Sequence, residues 1–226
     1  MKSSLIFSLP PSGLRVGLVE ARNVNIKPSS DDYRLRILQE TQRLLEPDFM
    51  YPDDKQKGIR SLLKTFGFHP SGRSRPASEF LHKDLQNRGS FNFINNAVDI
   101  NNHLSLLSHL PISVIDLDKS GFELCLRVGF DDESYVFNRE GHELSLKKLL
   151  VVARHGGDRA AVGSPVKDSQ QTKVFAETKN LALIVYTSVN ITSEEELNTL
   201  LNLAARLLHT EADAAETASM VLDACP

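Results

Sequence analysis

The sequence predicts an α+β fold, and three observations carry that expectation. From residue 29 to residue 111 the apolar side chains fall mostly at helical spacing. From residue 112 to residue 188 the spacing shortens to two, or the chain runs apolar, with turn residues between the runs. A closing amphipathic helix follows. Helices grouped first and strands grouped later argue against the strict alternation of a doubly wound sheet.

In order along the chain, "GLRVGLVEARNV" (13–24) reads as a strand. "SSDDYRLRILQETQRLLEPD" (29–48) reads as a helix capped by Ser30 or Asp31, with Leu35, Leu38 and Leu45 as its apolar stripe. A second helix spans 55–68 and stops at Gly67. A third follows Pro76, placed at its first position, and ends before Gly89. "FINNAVDINNHLSLLSHLP" (93–111) is a fourth, without a single Lys, Glu, Arg or Gln. "ISVIDLD", "FELCLRVGF", "SYVFN", "LLVVA" and "LALIVYTS" are strands, the last reached through a long polar loop over 154–173. The final helix starts at Ser193, which forms a capping box with Glu196 and leads a stripe of Leu197, Leu200, Leu201, Ala204, Leu207 and Leu208. We expect a single domain over 1–210 and an acidic tail over 211–226, helical or frayed.

Composition narrows the function classes. The 226 residues carry 26 basic and 29 acidic side chains, a net charge of −3, so any nucleic-acid surface must be a local basic patch. Cys125 and Cys225 give neither a disulfide framework nor a metal-ligand spacing, and a reducing cytoplasm is the simplest compartment. No apolar run reaches the roughly 20 residues of a membrane span, and Pro10 and Pro11 break the first one too early for a signal peptide. There is no Gly-x-Ser-x-Gly elbow and no His-Glu-x-x-His, and the seven histidines are scattered.

Three stretches could carry chemistry. In the fourth helix Asn95, Asp99 and Asn102 share one arc, with Ile94, Ala97, Ile100, Leu104 and Leu107 spread over the opposite half. Such short polar groups suit either a buried network that pins the helix or a wall facing a small ligand. In "GSPVKDSQQTK" (163–173), Gly163 and Ser164 precede a crowd of Lys167, Asp168, Ser169, Thr172 and Lys173. This is either a solvated turn or an anion-holding loop. In "GFHPSGRSRPASE" (67–79), Gly67 to Ser74 nearly spells a P-loop, but the lysine is absent and a helix precedes it where a strand is needed. What remains is Arg73 and Arg75 on a turn before a helix, able to contact phosphate or to pair with Glu79 or Asp84.

Taken in this order, "GRSRPASE" (72–79), "INNAVDINN" (94–102), "LPISVIDLDKSG" (110–121), "LCLRVG" (124–129), "GSPVKDSQQTK" (163–173) and "ETKNLALIVY" (177–186) resemble one family. It is the tRNA-binding and editing domain of the phenylalanyl-tRNA synthetase beta chain, and more closely its free-standing relatives. The resemblance covers about residues 15–208. It implies a three-layer α+β domain, a β-sandwich of unusual topology flanked by helices, with tRNA or aminoacyl-tRNA as partner and no cofactor or metal. It also implies hydrolysis of a mischarged aminoacyl ester. Asn95, Asp99, Asn102, Ser113, Gly163, Ser164, Asp168, Ser169 and Thr172 then fall around the substrate, and Arg73, Arg75, Lys167 and Lys173 meet phosphate or the oxyanion. Ser113 stands where the synthetase domain has a histidine, and Ile184 near its tyrosine-recognising glutamate. The synthetase's side-chain specificity therefore does not carry over. The same resemblance fits a non-catalytic tRNA or small-molecule binding module with a vestigial pocket.

Overall fold

The computed structural model describes residues 4–9 and 12–224; the Arg73 side chain and Cys225 lie outside the described residues. Two four-stranded sheets, a small hairpin and a helical layer make up the fold, an α+β class. The strands are β1 (Ser4–Ser8), β2 (Leu14–Arg22), β3 (Ile112–Asp116), β4 (Glu123–Val128), β5 (Ser134–Val136), β6 (Glu143–Ser145), β7 (Leu150–Arg154), β8 (Ala161–Gly163), β9 (Asn180–Ser188) and β10 (Glu216–Asp223). The helices are α1 (Asp31–Thr41), α2 (Asp53–Thr65), α3 (Ala77–Arg88), α4 (Asn96–Ser108), the single turn α5 (Leu117–Ser120) and α6 (Glu194–Glu211).

One sheet has the order β10-β2-β9-β3, antiparallel throughout. Its two central strands pair from Leu14 opposite Ser188 to Arg22 opposite Asn180. Both are buried along almost their whole length, so they read as continuous apolar runs. Helix α6 seats on this sheet at Gly17. A Cβ there would stand 2.6 Å from Leu201 Cδ2, so only glycine admits so close an approach. The other sheet has the order β1-β4-β7-β8, with β1 parallel to β4 and the remaining pairs antiparallel. The two sheets touch where β8 crosses β3: a Cβ on Gly163 would lie 3.0 Å from Ile115 Cδ1.

The predicted caps at Ser30 and Ser193 and the predicted stop at Gly89 agree with the structure. Ser30 accepts from the Tyr33 N–H, Ser193 and Glu196 form the capping box, and Gly89 closes α3 with φ +69°. Pro76 is the residue before α3, one place earlier than expected. Five expectations need correction. The fourth helix runs over Asn96–Ser108, not 93–111: Asn95 is extended and caps it, His109 turns left-handed at φ +59°, and Ile94, expected on its core side, lies outside it and is exposed. The first helix ends at Thr41 and tightens into a 3₁₀ turn over Gln42–Leu45. Its buried face is Tyr33, Ile37 and Thr41, while Leu35 and Leu38 are exposed, because a polar threonine hid the true stripe. The polar loop 154–173 contains β8, and residues 161–166 are buried. The acidic tail is neither helical nor frayed over Glu216–Asp223. That segment pairs with β2 residue by residue as β10, because alternate apolar residues suit a half-covered edge strand.

Candidate functional site

The amide-rich helix α4 lies against α1, α3, α6 and β3. Its polar side chains are largely spent on neighbouring backbone. Asn95 is the N-cap, accepting from the Val98 N–H, and its amide donates to the Val174 carbonyl at 3.4 Å. Asn96, fully buried, donates to the carbonyls of Asn25 and Glu211 at 2.9 and 2.8 Å and accepts from the Lys27 N–H at 3.3 Å. Asp99 accepts from the Ser29 hydroxyl at 2.6 Å and the Ile94 N–H at 2.8 Å; burial outweighs these bonds and raises its carboxyl above the usual range. These contacts favour the pinning network at Asn95 and Asp99. Asn102 differs: it is half-buried and borders a cleft between α3 and α4.

The 163–173 segment is folded around Asp168. Its carboxylate accepts from the Ser113 hydroxyl at 2.6 Å and from the Val114 and Ser164 N–H groups at 3.3 Å. Val114 lies on β3, the free edge of its sheet, so this side chain satisfies backbone that no strand pairs. Ser113 also bonds the Tyr186 hydroxyl at 3.0 Å, and the Tyr135 hydroxyl donates to Ser164 Oγ at 3.0 Å and to the Lys167 carbonyl. Burial pushes the Asp168 carboxyl up to about 6, against the pull of those donors, and raises both tyrosines well above their usual range. Lys173, half-buried, is lowered by burial and held up in part by Asp168. A Cβ on Gly163 would stand 2.8 Å from Asp168 Oδ1, which is why glycine occupies that place. Thr172 donates to the Val162 carbonyl at 2.9 Å, and Ser169 accepts from the Gln171 N–H, so both hold the loop's shape.

Beside this cluster runs a groove of about 580 Å³, open to solvent and lined by Gly72, Arg75, Phe80, Lys83, Asp84, Asn87, Phe137 and Lys167. Three cations and two aromatic rings therefore share one depression. Glu79 and Asp84 do not neutralise Arg75: they are taken by Arg60 at 2.6 Å and Arg88 at 2.7 Å. Arg75 instead donates to the Gly72 carbonyl at 2.8 Å. The Lys167 ammonium lies 3.8 Å from the centre of the Phe137 ring, and Phe80 is 48% exposed, an aromatic face offered to solvent. Among the predicted cations, Arg75 and Lys167 border this groove. Lys173 belongs to the Asp168 cluster, and the Arg73 side chain is outside the described residues. Lys83, Phe80 and Phe137 were missed from sequence; their signal is the run of exposed cation and aromatic on one face of α3, legible only once Phe137 is brought opposite.

A clip joins two more of the stretches singled out from sequence. Asp116 caps α5 and accepts from the Thr178 hydroxyl at 2.5 Å; Asp118 accepts from the N–H groups of Lys179 and Asn180 at 2.8 and 3.0 Å. "DLD" and "TKN" are thus the two halves of one structural lock.

The family model for the B3/4 domain matches residues 70–210, which takes in the groove, α4 and the Asp168 cluster. The chain belongs to the B3/4 domain family. Among solved structures, an N-terminal fragment of the phenylalanyl-tRNA synthetase beta subunit from Pyrococcus horikoshii is similar with a TM-score of 0.42 and 11% identity. That match covers 100% of this chain, which spans 55% of the fragment's length. No curated protein matches the chain. Among the described residues no His, Cys, Asp and Glu cluster has the makings of a metal site, and no helix is long and apolar enough to cross a membrane.

Proposed function

We propose that this B3/4 chain is a tRNA-binding protein that acts apart from a synthetase. The observation that carries the reading is the groove in which Arg75, Lys83 and Lys167 share a depression with Phe80 and Phe137. Cations on a backbone track with aromatic faces between them are what single-stranded nucleic acid needs. The local patch also resolves the conflict with a net charge of −3.

The finer reading is removal of a wrong amino acid in trans. Such editing exists where binding differences alone separate similar side chains too poorly. Water attacks the aminoacyl ester carbonyl, the C–O bond to the tRNA ribose breaks, and the products are free amino acid and tRNA hydroxyl. In this reading Asp168, next in sequence to the groove's Lys167, is the carboxylate that orients or deprotonates that water. A group held near 6 suits a general base at neutral pH. Lys173, or Lys167, opposes the developing oxyanion.

A second reading is a non-catalytic tRNA-binding module. It is favoured by the bonds that already engage Asp168: one hydroxyl and two backbone N–H groups make it a bolt between the loop and β3. The experiment is a deacylation screen against tRNAs carrying each amino acid, run beside tRNA binding, with the parent and Asp168→Asn. Turnover in the parent that falls about 100-fold or more in the variant at unchanged tRNA affinity supports the deacylase. Binding with no turnover for any amino acid supports the module. Absence of both overturns the proposal.

A further inference from the structure

The cleft between α3 and α4 runs on from the basic groove: Phe80 and Asp84 line both. It measures about 260 Å³, below the roughly 300 Å³ at which drug-sized pockets start. Its walls are aromatic and aliphatic, Phe80 and Phe91 against Val98 and Leu106. One polar group stands on the α4 side. Asn102 Oδ1 accepts from the Asn101 amide at 3.1 Å, which fixes the side chain's orientation. The Asn102 NH₂ then has no protein partner among the described residues. Asp84, on the opposite rim, is balanced by Arg88 at 2.7 Å and does not repel a neighbouring phosphate with a bare charge.

Resting on the RNA-binding reading above, we infer that this cleft takes one unpaired nucleobase of the strand whose phosphates lie in the adjoining groove. The chemistry fits a base better than a peptide. An aromatic face and aliphatic walls meet the planar ring, a fixed amide donor meets its edge, and the cations sit next door, where the sugar–phosphate chain must pass. A side chain of a protein partner would need none of those cations, and about 260 Å³ is too little for a docked helix. Every base has a π-face and an edge acceptor, so the pocket stacks rather than reads sequence.

The test uses a short fluorescent single-stranded oligoribonucleotide and a set of the same strand with one abasic residue moved position by position. The parent is expected to lose about tenfold or more in affinity at one position of the scan, the range set by stacking a single base. Two cleft variants outside the basic groove, Asn102→Leu and the cleft-filling Val98→Phe, are expected to weaken the intact strand by a similar factor. They should no longer distinguish the abasic strand, because the two changes remove the same interaction. Melting temperature controls for folding, and the half-buried Asn102 keeps one variant free of core damage. Equal parent affinity for every strand overturns the base pocket while leaving the groove intact. So does an abasic effect that survives in both variants, since the base then sits elsewhere. No binding to any strand overturns the RNA-binding reading itself and the inference with it.

Discussion

At Gly163 the main chain passes beneath the Asp168 carboxylate, and any side chain there must displace the acid or Ile115. Gly163→Ala is therefore expected to destabilise by about 1–3 kcal/mol through overpacking, read from urea unfolding. An unchanged midpoint would mean that Asp168 can swing away at no cost. The acid itself has a pH signature. Its folded pKa, about 6, lies above the unfolded value, so the folded state holds the proton more tightly between about pH 4 and 6. Ionising it there costs stability, by at most about 3 kcal/mol above pH 6. Asp168→Asn should gain on the parent by about 2–3 kcal/mol between pH 4 and pH 7, whatever its offset at low pH. A pH-independent difference would mean that burial does not govern this group. Glycine and acid each stand out in "GSPVKDS", but neither their contact nor their job is legible there: that Asp168 caps the open edge of β3 depends on a strand some 50 residues away.

Helix α4 shows what a periodicity argument can and cannot reach. Its existence and the absence of a solvent face follow from the amides and the missing long charged residues; its cap at Asn95 does not, since the polar arc places Asn95 inside the helix. Which amide matters most does not follow, because the helix is enclosed on several sides and the two-faced picture assumes one. Asn96 falls at the edge of the apolar half of the helix, outside the arc of Asn95, Asp99 and Asn102, yet makes the long-range bonds, to Asn25, Lys27 and Glu211. Asn96→Ala strands these backbone groups in the core and is expected to cost more than about 2 kcal/mol. Asn102→Ala, at the rim of the cleft, should cost less than about 1 kcal/mol, because its main loss is to a ligand. Chemical denaturation of the two variants side by side checks the order; the reverse order would reinstate Asn102 as a structural group. The same reasoning explains β10. Its acidic, alanine-rich neighbourhood hid a strand, since an edge strand needs only partial alternation.

For the whole molecule, three histidines set the acid limit. Burial lowers His103, His109 and His82 below the ordinary imidazole value, with Glu40 opposing it at His103 and with the His82–His109 repulsion adding at His109. Their folded values lie below the unfolded one, so the stability they allow is fully present above about pH 6.5 and is lost as pH falls through those values, about 4 for His103 and His109. Asp168 and Asp99, both raised by burial, work the other way in part of that window, against the two large shifts at His103 and His109. The net expectation is a loss of stability between pH 7 and pH 4, measured by unfolding across that range. A flat profile would contradict the neutral burial of these rings. We also propose that the chain behaves as one unit across the helix-to-strand change near residue 111, since α4 packs on β3 as well as on the other helices. Limited proteolysis should then give no pair of stable fragments cut there.

The central claim is that the groove holding Arg75, Lys83 and Lys167 binds RNA, and fluorescence anisotropy of tRNA against the intact chain tests it most directly. Lys83→Glu and Arg75→Glu are compared with the parent at two salt concentrations, and Lys57→Glu, on the exposed side of α2, serves as the control. The account predicts parent binding that weakens with salt, a loss of tenfold or more in each groove variant, a shallower salt dependence in both, and little change in the control. Groove variants that bind tRNA as the parent does, with the same salt dependence, would contradict it.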